Sequence, residues 1–90
     1  MQLAVKSIKV REAEKIKLGY WVRHWEGEDK RNITTIRDGI VVKNRKENRW
    51  LDVLDPINGE VDVICYEQVL QVGNLVSLED TGLVSQVLYT

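Results

Sequence analysis

Apolar residues recur at every second position along much of this chain, the period of a strand with one buried face. From Ile8 the even positions read Ile8, Val10, then polar Glu12 and Glu14, then Ile16, Leu18, Tyr20 and Val22. This predicts two strands, residues 5–10 and 15–25, joined by a polar turn at Arg11-Glu12-Ala13-Glu14. The turn is also helix-friendly, so a single helical turn is the local alternative. Residues 26–32 form a charged, glycine-containing loop. β-Branched character resumes at 33–36 and 39–43, on either side of Arg37-Asp38-Gly39, and 44–48 is a second polar loop. Residues 50–54 alternate again. Asn58-Gly59 then marks a hairpin into a strand at 60–66, with Val61, Val63 and Cys65 on one face. Residues 67–72 end that segment through a short 3₁₀ turn. Two apolar segments, 75–78 and 83–88, flank Glu79-Asp80-Thr81-Gly82 and read as a closing hairpin or a self-association strand pair.

The chain has 90 residues, enough for one domain, and its 43% hydrophobic content is sufficient for a thin core. Cys65 is the only cysteine, which excludes an internal disulfide and a thiolate zinc cluster. A lone thiol on an apolar strand is expected to be a small buried hydrophobe. No apolar run approaches the roughly 18 residues of a membrane span, and the first residues lack the long apolar stretch of a secretory signal. The expectation is a cytoplasmic protein without a membrane partner.

From Leu18 to Val72 the order of signals resembles a small SH3-like barrel, the five-stranded superfamily that includes KOW and Tudor-type domains. The resemblance is carried by Gly19-Tyr20-Trp21-Val22-Arg23, by Asp38-Gly39-Ile40-Val41-Val42, and by the pair Trp50-Leu51-Asp52-Val53-Leu54 and Gly59-Glu60-Val61-Asp62-Val63-Ile64. Tyr66-Glu67-Gln68-Val69 resembles the short turn before the last strand. It implies an all-β domain spanning residues 1–90, with a core at 18–72 and terminal extensions at 1–17 and 73–90. It also implies binding: KOW-type members often contact RNA, ribosomes or polymerases, Tudor-type members hold modified basic side chains, and others dock on proteins.

Charge sharpens the question of a partner. All 13 Lys and Arg residues precede Trp50, whereas the 14 acids divide equally on either side of it. Such asymmetry points to a charged partner, not to a reaction. The candidate binding residues are Arg23, His24, Trp25, Lys30, Arg31, Arg45, Lys46, Arg49 and Trp50, with Arg37 and Lys43 beside them. Cations interleaved with aromatic faces are what a groove for single-stranded nucleic acid needs. Against that stand the net charge of −1 and the plainer reading of these side chains as solvated loop charges offset by Glu26, Glu28, Asp29, Asp38 and Glu47. An aromatic cage of Trp21, Trp50 and Tyr66 competes with simple core packing.

Chemistry finds little support. His24 is the sole histidine, too few for a metal site, and is expected to be neutral or weakly paired at a strand end. No nucleophile elbow or phosphate-cradling glycine loop is present. The carboxylates Asp52, Asp55, Glu60 and Asp62 around the Asn58-Gly59 hairpin read as a solubilising rim. The expectation is a binding module without cofactor, metal or small-molecule substrate. It docks on a protein partner or on itself through its terminal strands; nucleic acid is the alternative partner.

Overall fold

A computed structural model describes the backbone of residues 3–77 and 87–89 and the side chains of residues 5–75. Among these residues every regular element is a strand or a single 3₁₀ turn. The strands are β1 Leu3–Ile8, β2 Trp21–Gly27, β3 Ile33–Arg45, β4 Trp50–Leu54, β5 Val61–Cys65, β6 Val69–Ser77 and β7 Val87–Tyr89. The 3₁₀ turns are Ala13–Lys15 and Tyr66–Gln68. The strands form one antiparallel sheet in the order β5-β4-β3-β2-β6-β1-β7, open because its edge strands β5 and β7 do not pair with each other. No helix among the described residues is long and apolar enough to cross a membrane, which says nothing of strands.

The sheet cannot be flat. Four inter-strand spacings separate β5 from β6, about 19 Å at the usual 4.8 Å each. Yet only the turn Tyr66–Gln68 joins Cys65 to Val69, and four residue steps reach at most about 14 Å. The sheet therefore curls until the end of β5 meets the start of β6. Val22, Val41, Leu51, Val53, Ile64, Tyr66 and Val72 come together inside that curl, and Ile16 closes one end. β3 has a register shift against β4 between Val41 and Lys43.

Several expectations change. β3 runs unbroken through Arg37-Asp38-Gly39, because β2 pairs with it from Gly27↔Ile33 to Trp21↔Ile40 and leaves no room for a turn. The predicted strand at 15–25 begins only at Trp21; before it, Ala13–Lys15 is a 3₁₀ turn, as the alternative reading allowed. The Asn58-Gly59 hairpin exists with a six-residue connection. There Asp55 Oδ1 accepts from Ile57 N at 2.8 Å and Asn58 Oδ1 from Glu60 N at 2.8 Å. Cys65 is exposed, not buried, because its neighbours Ile64 and Tyr66 both face the core and alternation turns the thiol outward. The terminal strands pair within the chain: β1 lies along β6 from Leu3↔Ser77 to Ile8↔Val72 and also carries β7. Residues 78–86, with most of the predicted tail hairpin, lie outside the described residues.

Candidate functional site

The candidate residues separate into three places. Arg23, His24 and Trp25 lie in the middle of the sheet on β2, Lys30 and Arg31 in the β2–β3 turn, and Arg45, Lys46, Arg49 and Trp50 at the β3–β4 turn. The two turns occupy opposite ends of the 13-residue β3. At about 3.3 Å per residue that strand nearly matches the molecule's 38 Å long axis. The two turns are thus separated by most of that axis.

On β2, alternation sends neighbours to opposite faces and both faces are covered. Trp21 is 2% exposed and Trp25 7% exposed, with Trp25 Nε1 donating to Glu67 O at 3.3 Å. His24 is 2% exposed, mid-strand and not at a strand end; its Nδ1 has no hydrogen-bond partner among the described residues. Burial pushes its pKa below the ordinary 6.5, against the opposing pull of Glu26, Asp62 and Asp38. Arg23 is held by its cross-strand neighbour Asp38 through Nε–Oδ1 at 2.8 Å and Nη2–Oδ2 at 3.1 Å, and its guanidinium lies 5.3 Å from the Trp21 ring centroid. Asp38 raises its pKa further, so this cation is permanent and engaged.

At the β3–β4 turn, Arg45 Nη2 donates to Asp52 Oδ2 at 3.1 Å, pairing a base of the first half with an acid of the second. Arg49 has φ +60, donates to Glu14 Oε1 at 2.9 Å and lies 5.2 Å from the Tyr66 ring centroid. Burial pushes the Tyr66 phenol above its ordinary pKa, with Glu14 adding to the effect. Trp50 is half-buried. Among the described aromatic side chains Trp21, Trp25 and Tyr66 are buried, whereas Tyr20 and Trp50 are half-buried. At the opposite end, Asp29 Oδ1 organises the loop by accepting from Arg31 N at 2.8 Å and Asn32 N at 3.1 Å, leaving Lys30 and Arg31 exposed.

A recess forms between residues 14–18 and the end of β3: an open cleft of about 610 Å³ lined by Lys15, Ile16, Lys17, Leu18, Lys43, Asn44 and Lys46, with Glu14, the partner of Arg49, as its one acid. Lys15 pairs with Glu12 at 3.7 Å, whereas Lys17, Lys43 and Lys46 have no ion pair among the described residues. Leu18 is 63% exposed there. Alternation assigned Leu18 to a strand face, and only the tertiary position of the 3₁₀ turn brings it beside Lys43. Asn44 fixes that position. Its Nδ2 donates to Ala13 O, Glu14 O and Ile16 O at 3.1, 3.4 and 2.9 Å, while Oδ1 accepts from Tyr66 Oη. Gln68 has a similar role at the seam, accepting from Cys65 N at 2.7 Å and donating to Trp25 O at 2.9 Å. Gln68 lies in the stretch that resembles the short turn before the last strand, but no sequence signal marked either residue's bonding role.

The carboxylates near the hairpin are structural or isolated. Asp52 serves Arg45, Asp55 caps its own turn, and no group of three His, Cys, Asp or Glu among the described residues is placed to hold a metal. Comparison with family models, with curated proteins and with solved structures finds no match to the chain.

Proposed function

We propose that the chain is a small non-catalytic docking module that receives an acidic, apolar-bearing segment of a protein partner in the lysine-rimmed cleft. The observation that carries this reading is the composition of that cleft: three lysines without an ion pair among the described residues, around an exposed Leu18. Lysine stems extend the apolar lining while their ammonium groups stay in water and attract carboxylates. The architecture behind the cleft is read as SH3-like. Support comes from the meander β2-β3-β4-β5, the 3₁₀ turn Tyr66–Gln68, and the return of β6 beside β2.

Nucleic acid remains the second reading, because the same lysines suit phosphates. Among the described residues no aromatic ring is fully exposed, and exposed rings are what make single-strand binding strong. Titration of isotopically labelled protein with acidic-apolar peptides and, separately, with homopolymeric DNA and RNA oligonucleotides decides between the two. Peptides are expected to shift the amides of Leu18, Lys43 and Lys46, and Lys43→Glu with Lys46→Glu to abolish those shifts. Oligonucleotide shifts that weaken steeply with salt, without any peptide response, would replace protein docking by nucleic-acid binding.

A further inference from the structure

A second surface lies at the seam of the curled sheet. β5 pairs with β4 along all five of its residues, and no other described strand pairs with its far side, where Gln68 Oε1 accepts only from Cys65 N. Free backbone donors and acceptors on such an edge are a template for an added strand. Val61–Cys65 contains no lysine, no proline and no register shift, and its one guard is the charge of Asp62, on the same face as buried Ile64. Its outward face is apolar, with Val61 53% and Val63 58% exposed and Cys65 exposed beside them.

Opposite this edge stands the β2–β3 hairpin, and the groove between them, about 340 Å³, is lined by Glu26 and Arg37 on one wall and Glu60, Asp62, Val63 and Ile64 on the other, with Gln68 at its end. Arg37 is taken by Glu26 at 3.2 Å, whereas Glu60 and Asp62 have no ion pair among the described residues. The groove is therefore net acidic. His24, buried with its Nδ1 unpartnered, lies within the electrostatic reach of both Glu26 and Asp62.

We infer that this groove takes an extended basic segment of a protein partner as an added strand on β5. Alternation dictates the segment's pattern. Side chains on the inward face meet Glu60 and Asp62 and are Lys or Arg; those on the outward face continue the Val61–Val63 stripe and are apolar. The chain's own residues 78–90 contain two acids and no base, so charge sets them against this role. The inference concerns a different surface from the lysine cleft and a ligand of opposite charge.

The test uses a seven-residue peptide alternating Val or Ile with Lys or Arg, titrated onto the full chain. Amide shifts and slowed hydrogen exchange should concentrate on residues 60–65. Asp62→Lys should weaken binding about tenfold or more, as loss of a desolvated charge pair does. Glu60→Lys, in the exposed connection, repeats the test should Asp62→Lys fold poorly, and Lys43→Glu should change nothing. A peptide with proline at its centre should not bind, because it cannot complete the ladder. Equal affinity for the proline peptide, equal affinity of both charge-reversed variants, or shifts confined to Lys17, Lys43 and Lys46 would overturn the inference. Concentration-dependent dimerisation of the chain alone with protection of β5 would also overturn it, by assigning the edge to a second copy.

Discussion

Asn44 holds more of this structure together than any charged residue. Its amide nitrogen has two hydrogens for three carbonyls, at 2.9, 3.1 and 3.4 Å, so one hydrogen is shared, and its oxygen takes the Tyr66 hydroxyl. Asn44→Ala leaves these partners without a donor or acceptor. It should cost about 2–3 kcal/mol, lowering Tm by on the order of 10–20 °C in a domain of this size. Tyr66→Phe, which removes one of the bonds, should cost about 1 kcal/mol in the same denaturation measurement. His24 gives a residue-scale pH effect. Burial holds its folded pKa below 6.5, so the unfolded chain takes up the proton first as the pH falls. His24 therefore favours the neutral folded form fully above about pH 6.5, and stability declines below that until the folded pKa is reached. Tm should drop between pH 7.5 and 5.5, and His24→Gln should flatten that part of the profile.

Elements were legible wherever alternation reflects one buried face. β4, β5 and the 3₁₀ turn at Tyr66 fall where period and turn residues put them, and β1 lies two residues earlier, at Leu3–Ile8 rather than 5–10. β3 shows what alternation misses. Asp38-Gly39 is a turn signal in sequence, yet Gly39 sits mid-strand because two strands approach closely there. A Cβ on it would run into Val53 Cγ1 and lie 2.9 Å from Leu54 O. Gly39→Ala should destabilise by about 1–3 kcal/mol, the usual cost of overpacking. Combining it with Val53→Ala should return part of that cost, seen as a favourable coupling in a double-mutant cycle by denaturant unfolding. The segment before Trp21 was misread for the opposite reason. Ile16 and Leu18 keep the strand period, but Asn44 holds the backbone around them from 28 or more positions away, and no local pattern encodes so distant a partner. The candidate site suffered likewise: residue types were legible, whereas their pairing into Arg23–Asp38, Arg37–Glu26, Arg45–Asp52 and Arg49–Glu14 depends on register.

The whole molecule draws its two sequence halves into one cooperative unit. The basic β3 and acidic β4 are neighbours, so the charge division at Trp50 is partly neutralised across that pair by Arg45–Asp52. β1, expected as an extension outside a core at 18–72, completes the far side of the sheet instead. Val5 is 3% exposed, and a Cβ on Gly73 would meet Val5 Cγ1 and lie 3.2 Å from Trp21 Cε3, so Val5 and Trp21 close over that glycine. Trp21 is among the largest fully buried side chains and lies outside the cluster inside the curl, so its burial rests on β1 and β6 rather than on the interior of the curl. A chain of this length has only roughly 5–10 kcal/mol of stability, and losing that cover removes a large share. Val5→Ala should cost about 2 kcal/mol and lower Tm by roughly 8–16 °C. Val5→Asp, placing a charge against the indole, should prevent stable folding. The decisive measurement is whether tryptophan fluorescence and far-ultraviolet circular dichroism report one coincident transition. If β1 belongs to the cooperative unit, Val5→Ala shifts both probes together. A detachable β1 would instead give an early fluorescence transition with the circular dichroism midpoint unmoved.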